Sequence, residues 1–144
     1  MNLEISLVPI GHISKTIPSL LGYLEKSESW SRGRSKVDDI LRFILAGQMQ
    51  LWVVFSQDEQ QIYGHIITEV KQYPQFKMLV IQYCCIESHH KQYVEDKMQD
   101  IAERFAKDSG CVGIELVGRL GWGKKLEKFG YTTKDIVYQK FFKE

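Results

Sequence analysis

Residues 76–117 read FKMLVIQYCCIESHHKQYVEDKMQDIAERFAKDSGCVGIELV, and a change of period inside that stretch decides the fold. From Phe76 to Ile86 the residues are apolar, β-branched and aromatic, the pattern of a strand. From about Ser88 the apolar positions Val94, Met98, Ile101 and Phe105 recur at helical spacing, with Ser88 as an N-cap residue and Gly110 as the closing glycine. Cys111 to Val117 returns to a strand pattern. Strand, long helix and strand in succession form a crossover unit, which makes its two strands parallel neighbours.

Upstream, Met49–Phe55 and Ile62–Val70 are two further strands, joined by the polar turn SQDEQQ and followed by KQYPQ. Turns this short imply an antiparallel meander leading into Phe76–Ile86. Before it, Leu3–Val8 reads as a strand, and Ile17, Leu20, Leu21 and Leu24 mark a helix over Ile13–Lys26, with Pro18 early enough to be tolerated. Ser27–Ser35 is a polar loop carrying Arg32 and Arg34, and Lys36–Gly47 is a second helix ended by glycine. Downstream, Trp122–Phe129 is a short helix closed by Gly130, and Lys134–Phe142 reads as a last strand. The predicted order is β α α β β β α β α β, an α+β domain over residues 1–144 with a mixed, mostly antiparallel sheet.

A chain of 144 residues with 44% hydrophobic content is long enough to bury roughly two thirds of its unfolded surface without a disulfide or metal staple. Nineteen basic against 18 acidic residues leave a net charge of +1, so no global field draws it to nucleic acid or to an anionic membrane. No apolar run approaches bilayer length, and the first residues lack the features of a signal peptide. A soluble, unsecreted, cytoplasmic protein is expected. Three cysteines, two of them adjacent, suit a reducing compartment better than a disulfide framework.

Two cysteines and two histidines within seven positions, Cys84, Cys85, His89 and His90, suggest a metal or thiol site. Adjacent strand residues point to opposite faces and adjacent helix residues lie about 100° apart, so the four cannot converge tetrahedrally. A Cys85–His89 nucleophile would lack an oxyanion loop and a third orienting residue. The reading expected here is two thiols behaving as small hydrophobes beside exposed histidines, with no metal bound. The glycine-rich stretch GRLGWGKKLEKFGY, residues 118–131, allows close backbone approach and carries Arg119, Lys124, Lys125 and Lys128.

With that order in place, the chain resembles the GNAT superfamily of N-acetyltransferases along nearly its whole length, through FKMLVIQYCCI, AERFAKDSGC, VGIELV and LEKFGY. More narrowly, GQMQLWVVF, GHIITEVKQYP and the G-R-x-G-W-x-x-x-L-x-x-x-G-Y pattern resemble small GNAT-like proteins of tailed bacteriophages. The resemblance implies that the fourth strand splays from the fifth and that the start of the third helix holds the pyrophosphate of acetyl-CoA on free amides. The residues it assigns to the cofactor are Ile86, His90, Lys91, Gln92, Tyr93, Val94 and Glu95, with Lys97 a further cation nearby; Tyr83, Glu87 and His89 are its candidates for the catalytic base.

The family's pyrophosphate pattern, Q/R-x-x-G-x-G/A, registers with His90, Tyr93 and Glu95, none of which matches it. Tyr93 is expected to narrow the crevice and Glu95 to set a like charge against phosphate. Leu126 stands where many members carry a tyrosine acid. The resemblance thus implies an acetyl-CoA-dependent N-acetyltransferase with a degenerate pyrophosphate loop, taking an amine substrate. Its rival is a catalytically inactive GNAT-like virion, assembly or host-interaction protein, partnered by phage or host protein.

Overall fold

Apolar positions on alternate faces of a central sheet must be covered on both sides, and the chain supplies one helical layer for each. A computed structural model of the protein describes residues 2–87, 90–118 and 122–142, with Gln92 and Tyr93 described for their backbone alone. The elements are β1 (Glu4–Leu7), a 3-10 turn at Ile10–His12, α1 (Ile13–Trp30), α2 (Val37–Leu45), β2 (Gln50–Ser56), β3 (Gln61–Gln72), β4 (Lys77–Ile86), α3 (Lys91–Asp108), β5 (Gly113–Leu116) and α4 (Gly123–Glu127). The sheet runs β1-β2-β3-β4-β5, antiparallel except for the parallel β4–β5 pair created by the α3 crossover. None of the helices among the described residues is long and apolar enough to cross a membrane.

The expected order holds from β1 to α4. Gly47, Gly110 and Gly130, read as helix ends, all take positive φ, the conformation a helix-terminating glycine supplies without steric cost. Two expectations are corrected. Lys134–Phe142 pairs with no strand among the described residues. Its composition suits a strand, but strand structure needs a neighbour's hydrogen bonds, which composition does not provide. The segment 27–30, read as loop, is the last turn of α1. Ser27 is fully buried there and continues the inward stripe of Leu20 and Leu24.

The helix then stops in a polar clasp: the Ser31 hydroxyl donates to the Glu28 carbonyl at 2.7 Å and the Ser35 amide donates to Ser31 Oγ at 3.1 Å. Glu28 also reaches forward, its carboxylate accepting the Val37 amide at 2.8 Å and so capping α2. A carboxylate at a helix N-terminus satisfies an otherwise unpaired donor and complements the dipole.

One face of the sheet packs Leu51, Val53 and Ile67 under Leu20, Leu24, Ile40 and Ile44 of α1 and α2. The other packs Trp52, Val54, Ile66, Ile81 and Ile86 under Val94 and Met98 of α3, with Leu79 against Ala102 and Ala106. Two bulges set which residue faces which layer. Between β2 and β3 the register skips Tyr63, and between β3 and β4 it skips Gln82. Each extra residue reverses the alternation beyond it. Ile81 and Cys84, three apart, therefore both belong to the α3 face, while Tyr83 packs with the α1 cluster.

At the second bulge β4 also parts from β5: the last pair is Ile81 with Leu116, and Tyr83 to Ile86 continue against β3 alone. That stretch is held from the β3 side at Gly64, where an added Cβ would sit 2.3 Å from the Cys85 carbonyl oxygen and 2.7 Å from Ile86 Cα. Backbone cannot yield as a side chain can, so Gly64→Ala is expected to destabilise the protein by ~2 kcal/mol or more. Thermal denaturation read by circular dichroism measures this; an unchanged midpoint would contradict the close approach.

Candidate functional site

The parting of β4 from β5 leaves one backbone edge of the second half of β4 without a strand partner among the described residues, and the bulge at Gln82 turns Tyr83 toward α1. From α1, the Tyr23 hydroxyl donates to Glu87 Oε1 at 2.8 Å. Burial first, and then the carboxylate it faces, push the Tyr23 phenol well above its ordinary range, so it stays a donor at any physiological pH. Glu87 and Tyr83 are half-buried, open enough for a ligand to reach and enclosed enough to be oriented.

Beneath them lies a second polar pair. Ser27 Oγ and His65 Nε2 are 3.1 Å apart, both residues fully buried, and His65 Nδ1 has no hydrogen-bond partner among the described residues. A serine beside an imidazole has the composition of a nucleophile and base, but neither atom can be reached from solvent, so the pair serves as a structural tie between α1 and β3. Burial lowers the His65 pKa to about 4.

The thiols are as inert as their strand positions suggested. Cys84 lies on the α3 face with Sγ 3.9 Å from Met98 Sδ, and burial pushes its pKa up to about 11. Burial raises Cys85 too. Thiols held above their ordinary range carry little nucleophilic thiolate at neutral pH. Among the described residues there is no group of three or more metal-ligating side chains.

The turn from β4 to α3 is closed by the Glu87 amide bonding the Tyr63 carbonyl at 3.1 Å and the His90 amide bonding the Glu87 carbonyl at 2.9 Å. His90 is the N-cap of α3, a position expected for Ser88, and its ring packs at a tilt of 50° against Tyr63 with centroids 4.2 Å apart. It is buried rather than exposed because the bulge turns Tyr63 to that face. Its side chain makes no capping hydrogen bond, and the first turn of this 18-residue helix carries no acid. The helix therefore presents amide donors and a positive dipole end beside the gap between β4 and β5.

The residues assigned from the sequence divide as follows. Tyr83 and Glu87 come together with Tyr23 on the α1 face. Ile86 and Val94 are buried in the α3 core, so they contribute backbone alone. Lys91 is exposed at the first position of α3, and Gln92 and Tyr93 follow in its first turn, their side chains outside the described residues. Ser88 and His89 lie outside them as well, as do residues 119–121 of the turn before α4.

Two charges differ from expectation. Glu95 is not a free anion: Lys125 of α4 and Lys128, the C-cap of that helix, pair with its two carboxylate oxygens, the latter at 3.8 Å. Lys97 turns away to β1, its Nζ donating to the Leu3 carbonyl at 2.8 Å. Tyr23 and Tyr63, which touch the candidates Glu87 and His90, and the buried Ser27–His65 tie beneath them are what the sequence reading missed. The available signal was Ser27 at the end of the Leu20–Leu24 stripe, a polar residue where the period calls for an apolar one.

No known family model and no curated protein sequence matches this chain. Solved structures match it closely in shape. Glucosamine-6-phosphate N-acetyltransferase from Arabidopsis thaliana superposes with a TM-score of 0.71 at 16% identity, over 99% of this chain and 100% of that one. A putative acetyl transferase from Pyrococcus furiosus gives 0.70 at 17% identity, over 96% and 100%. A predicted acetyltransferase from Clostridium acetobutylicum, solved with acetyl-CoA, gives 0.69 at 14%, over 97% and 96%.

The depressed His65 pKa makes stability depend on pH. Between 6.5, the ordinary value, and about 4, the unfolded chain binds a proton that the folded chain refuses, so stability is full above the upper value and falls through this window. The loss amounts to roughly 3 kcal/mol across it. Urea denaturation at neutral and mildly acidic pH should show that slope, and His65→Gln should flatten it; an identical slope in the variant would remove His65 as its source.

Proposed function

We propose that this chain, which has the fold of the GNAT acetyltransferases, is an acetyl-CoA-dependent N-acetyltransferase acting on an amine. The observation that carries the reading is the divergence of β4 from β5 after Ile81 and Leu116 beside the unacidic N-terminus of α3. An 18-residue helix whose first turn carries no acid suits a pyrophosphate. The negative charge of Glu95, the one acid assigned to the loop, is offset by Lys125 and Lys128. The backbone amides of Lys91, Gln92 and Tyr93 would hold the phosphates, with the Lys91 ammonium as counter-charge, and the open half of β4 would line the pantetheine arm.

Bound acetyl-CoA supplies a thioester as the activated acyl group. Glu87 is assigned the proton of the attacking amine, since its carboxylate sits at the end of β4 and is oriented by the Tyr23 hydroxyl. Tyr23 stays protonated and so cannot compete for that proton. Tyr83, on the same face, orients the amine. The particular resemblance of the G-R-x-G-W stretch supports a phage-encoded protein working in the cytoplasm of an infected cell or carried on the virion.

The rival reading is a GNAT-fold protein without turnover, serving assembly or host interaction through a phage or host protein. Leu126 in place of a tyrosine acid and the commitment of Lys125 and Lys128 to Glu95 favour it.

Calorimetry with acetyl-CoA decides first: heat with one-to-one stoichiometry is expected, and none at high micromolar ligand would sink the enzyme reading. With a panel of primary amines and thiol release as the readout, Glu87→Gln should lower kcat on the order of a hundredfold with acetyl-CoA affinity unchanged. Binding without acetylation of any amine would support the rival reading.

A further inference from the structure

A helix N-terminus that holds an anion must keep its first amides at a fixed aim, and that aim is set by the residue before the helix and by the turn that delivers it. N-cap residues are ordinarily fixed by a side-chain hydrogen bond to the first turn. His90, the N-cap of α3, makes no such bond. Tyr63 of β3 takes over that hold.

It grips the turn from Glu87 to His90 at both ends. Where the turn begins, the Tyr63 carbonyl accepts the Glu87 amide at 3.1 Å; where it ends, the Tyr63 ring lies against the His90 imidazole with centroids 4.2 Å apart. Between these two holds the His90 amide donates to the Glu87 carbonyl at 2.9 Å. Tyr63 and His90 are only 6% and 4% exposed, so water does not compete for the contact. Tyr63 also shares one apolar cluster with Ile86 at the end of β4 and Val94 in the first turns of α3.

The bulge in β3 is what frees Tyr63 for this work. Ile62 pairs with Phe55 and Gly64 with Val54, which leaves Tyr63 without a partner on β2. A residue left out of the ladder in this way re-aims its side chain, here toward α3. The far end of the ring is pinned as well: its hydroxyl donates to the Glu59 carboxylate, and the Glu59 amide donates to Ser56 Oγ at 3.3 Å, on a serine buried at the end of β2. Tyrosine has two side-chain torsions, so a ring held at its face and at its hydroxyl keeps little freedom.

We propose that Tyr63 is the positioning residue of the cofactor site: it orders the turn from Glu87 to His90 in advance, so that the first amides of α3 already face where the pyrophosphate would lie. The proposal rests on the reading that those amides hold acetyl-CoA. Tyr63 acts through the turn and through His90, not by touching the cofactor. A site ordered beforehand loses less conformational freedom when its ligand arrives. Without the clamp the ligand itself would have to order the turn, and affinity would fall by that cost.

Calorimetry with acetyl-CoA and NMR-detected amide exchange without ligand test this on the full chain, in the wild type, Tyr63→Leu, Tyr63→Phe and Leu79→Ala. Leu79 packs against Ala102 and Ala106 in the second half of α3, so its truncation should lower the melting temperature and leave the turn alone. Tyr63→Leu should speed exchange of the Glu87 and His90 amides and weaken acetyl-CoA binding on the order of tenfold. Tyr63→Phe keeps the ring against His90 and loses the bond to Glu59; it should fall between Tyr63→Leu and the wild type, and it carries the test if Tyr63→Leu does not fold. Leu79→Ala should keep wild-type affinity and turn protection. Wild-type affinity or wild-type amide protection in the Tyr63 variants, or a loss of affinity that Leu79→Ala matches, would overturn the proposal and leave the cofactor reading standing. No heat from acetyl-CoA with the wild type would remove the cofactor reading and this proposal together.

Discussion

β3 and β4 pair on both sides of Gln82, and β4 has to fit one more residue into that ladder than β3 does. The surplus bends and twists the strand, and the rest of the site depends on it. Before the bulge β4 can pair with β5; after it the two part, and the face toward α1 changes from one set of residues to the other. Were Gln82 paired in the ladder and not bulged out of it, Tyr83 and Cys85 would exchange faces with Cys84 and Ile86, putting the Tyr83 hydroxyl under α3. Gly64 lets β3 follow the bent strand at a distance no other residue would tolerate.

The face that results is unusually polar for a protein interior. Tyr23 with Glu87 and Ser27 with His65 bind α1 to the end of β4 and to the interior of β3. Each pair satisfies groups whose burial unpaired would cost on the order of 1–3 kcal/mol. These contacts also explain why α1 runs a full turn beyond its apolar stripe: Ser27 needs its place over His65, and Glu28 needs to reach the Val37 amide at the start of α2. The contact that orients the Glu87 carboxylate also docks the helix.

Near the start of α3 the charges form a closed account between two helices. Glu95 is paired with Lys125 and Lys128, so the acid assigned to the loop brings no net repulsion to the helix N-terminus, and the lysines of α4 are held where they could meet an anion. Ion pairs this exposed on the lysine side are weak in isolation. Their effect is positional, fixing α4 against α3 just before Tyr131, whose hydroxyl donates to Gln99 Oε1 of α3.

Much of the fold was legible in the residues themselves. The switch of period after Ile86, the turn chemistry between β2, β3 and β4, and the glycines at 47, 110 and 130 are local signals, and each produced the expected element because propensity and burial agree there. Part of the candidate site was legible too: Tyr83 and Glu87 were named through the family resemblance, and the buried settings of Cys84 and Cys85 follow from their alternation on β4. Tyr23, Ser27 and His65 were not, because they come from α1 and β3 and acquire a role by meeting across the sheet. The reversal of facing at Tyr63 and Gln82 was hidden as well, since a bulge belongs to the pairing of two strands and to neither alone. The same reason separates the strand composition of residues 134–142 from its unpaired state. Sequence by itself determined where the backbone would be helical or extended, because those preferences are local; tertiary structure alone decided which faces met, which charges were compensated and which strand lacked a neighbour, because hydrogen bonds and burial there need a partner distant in the chain.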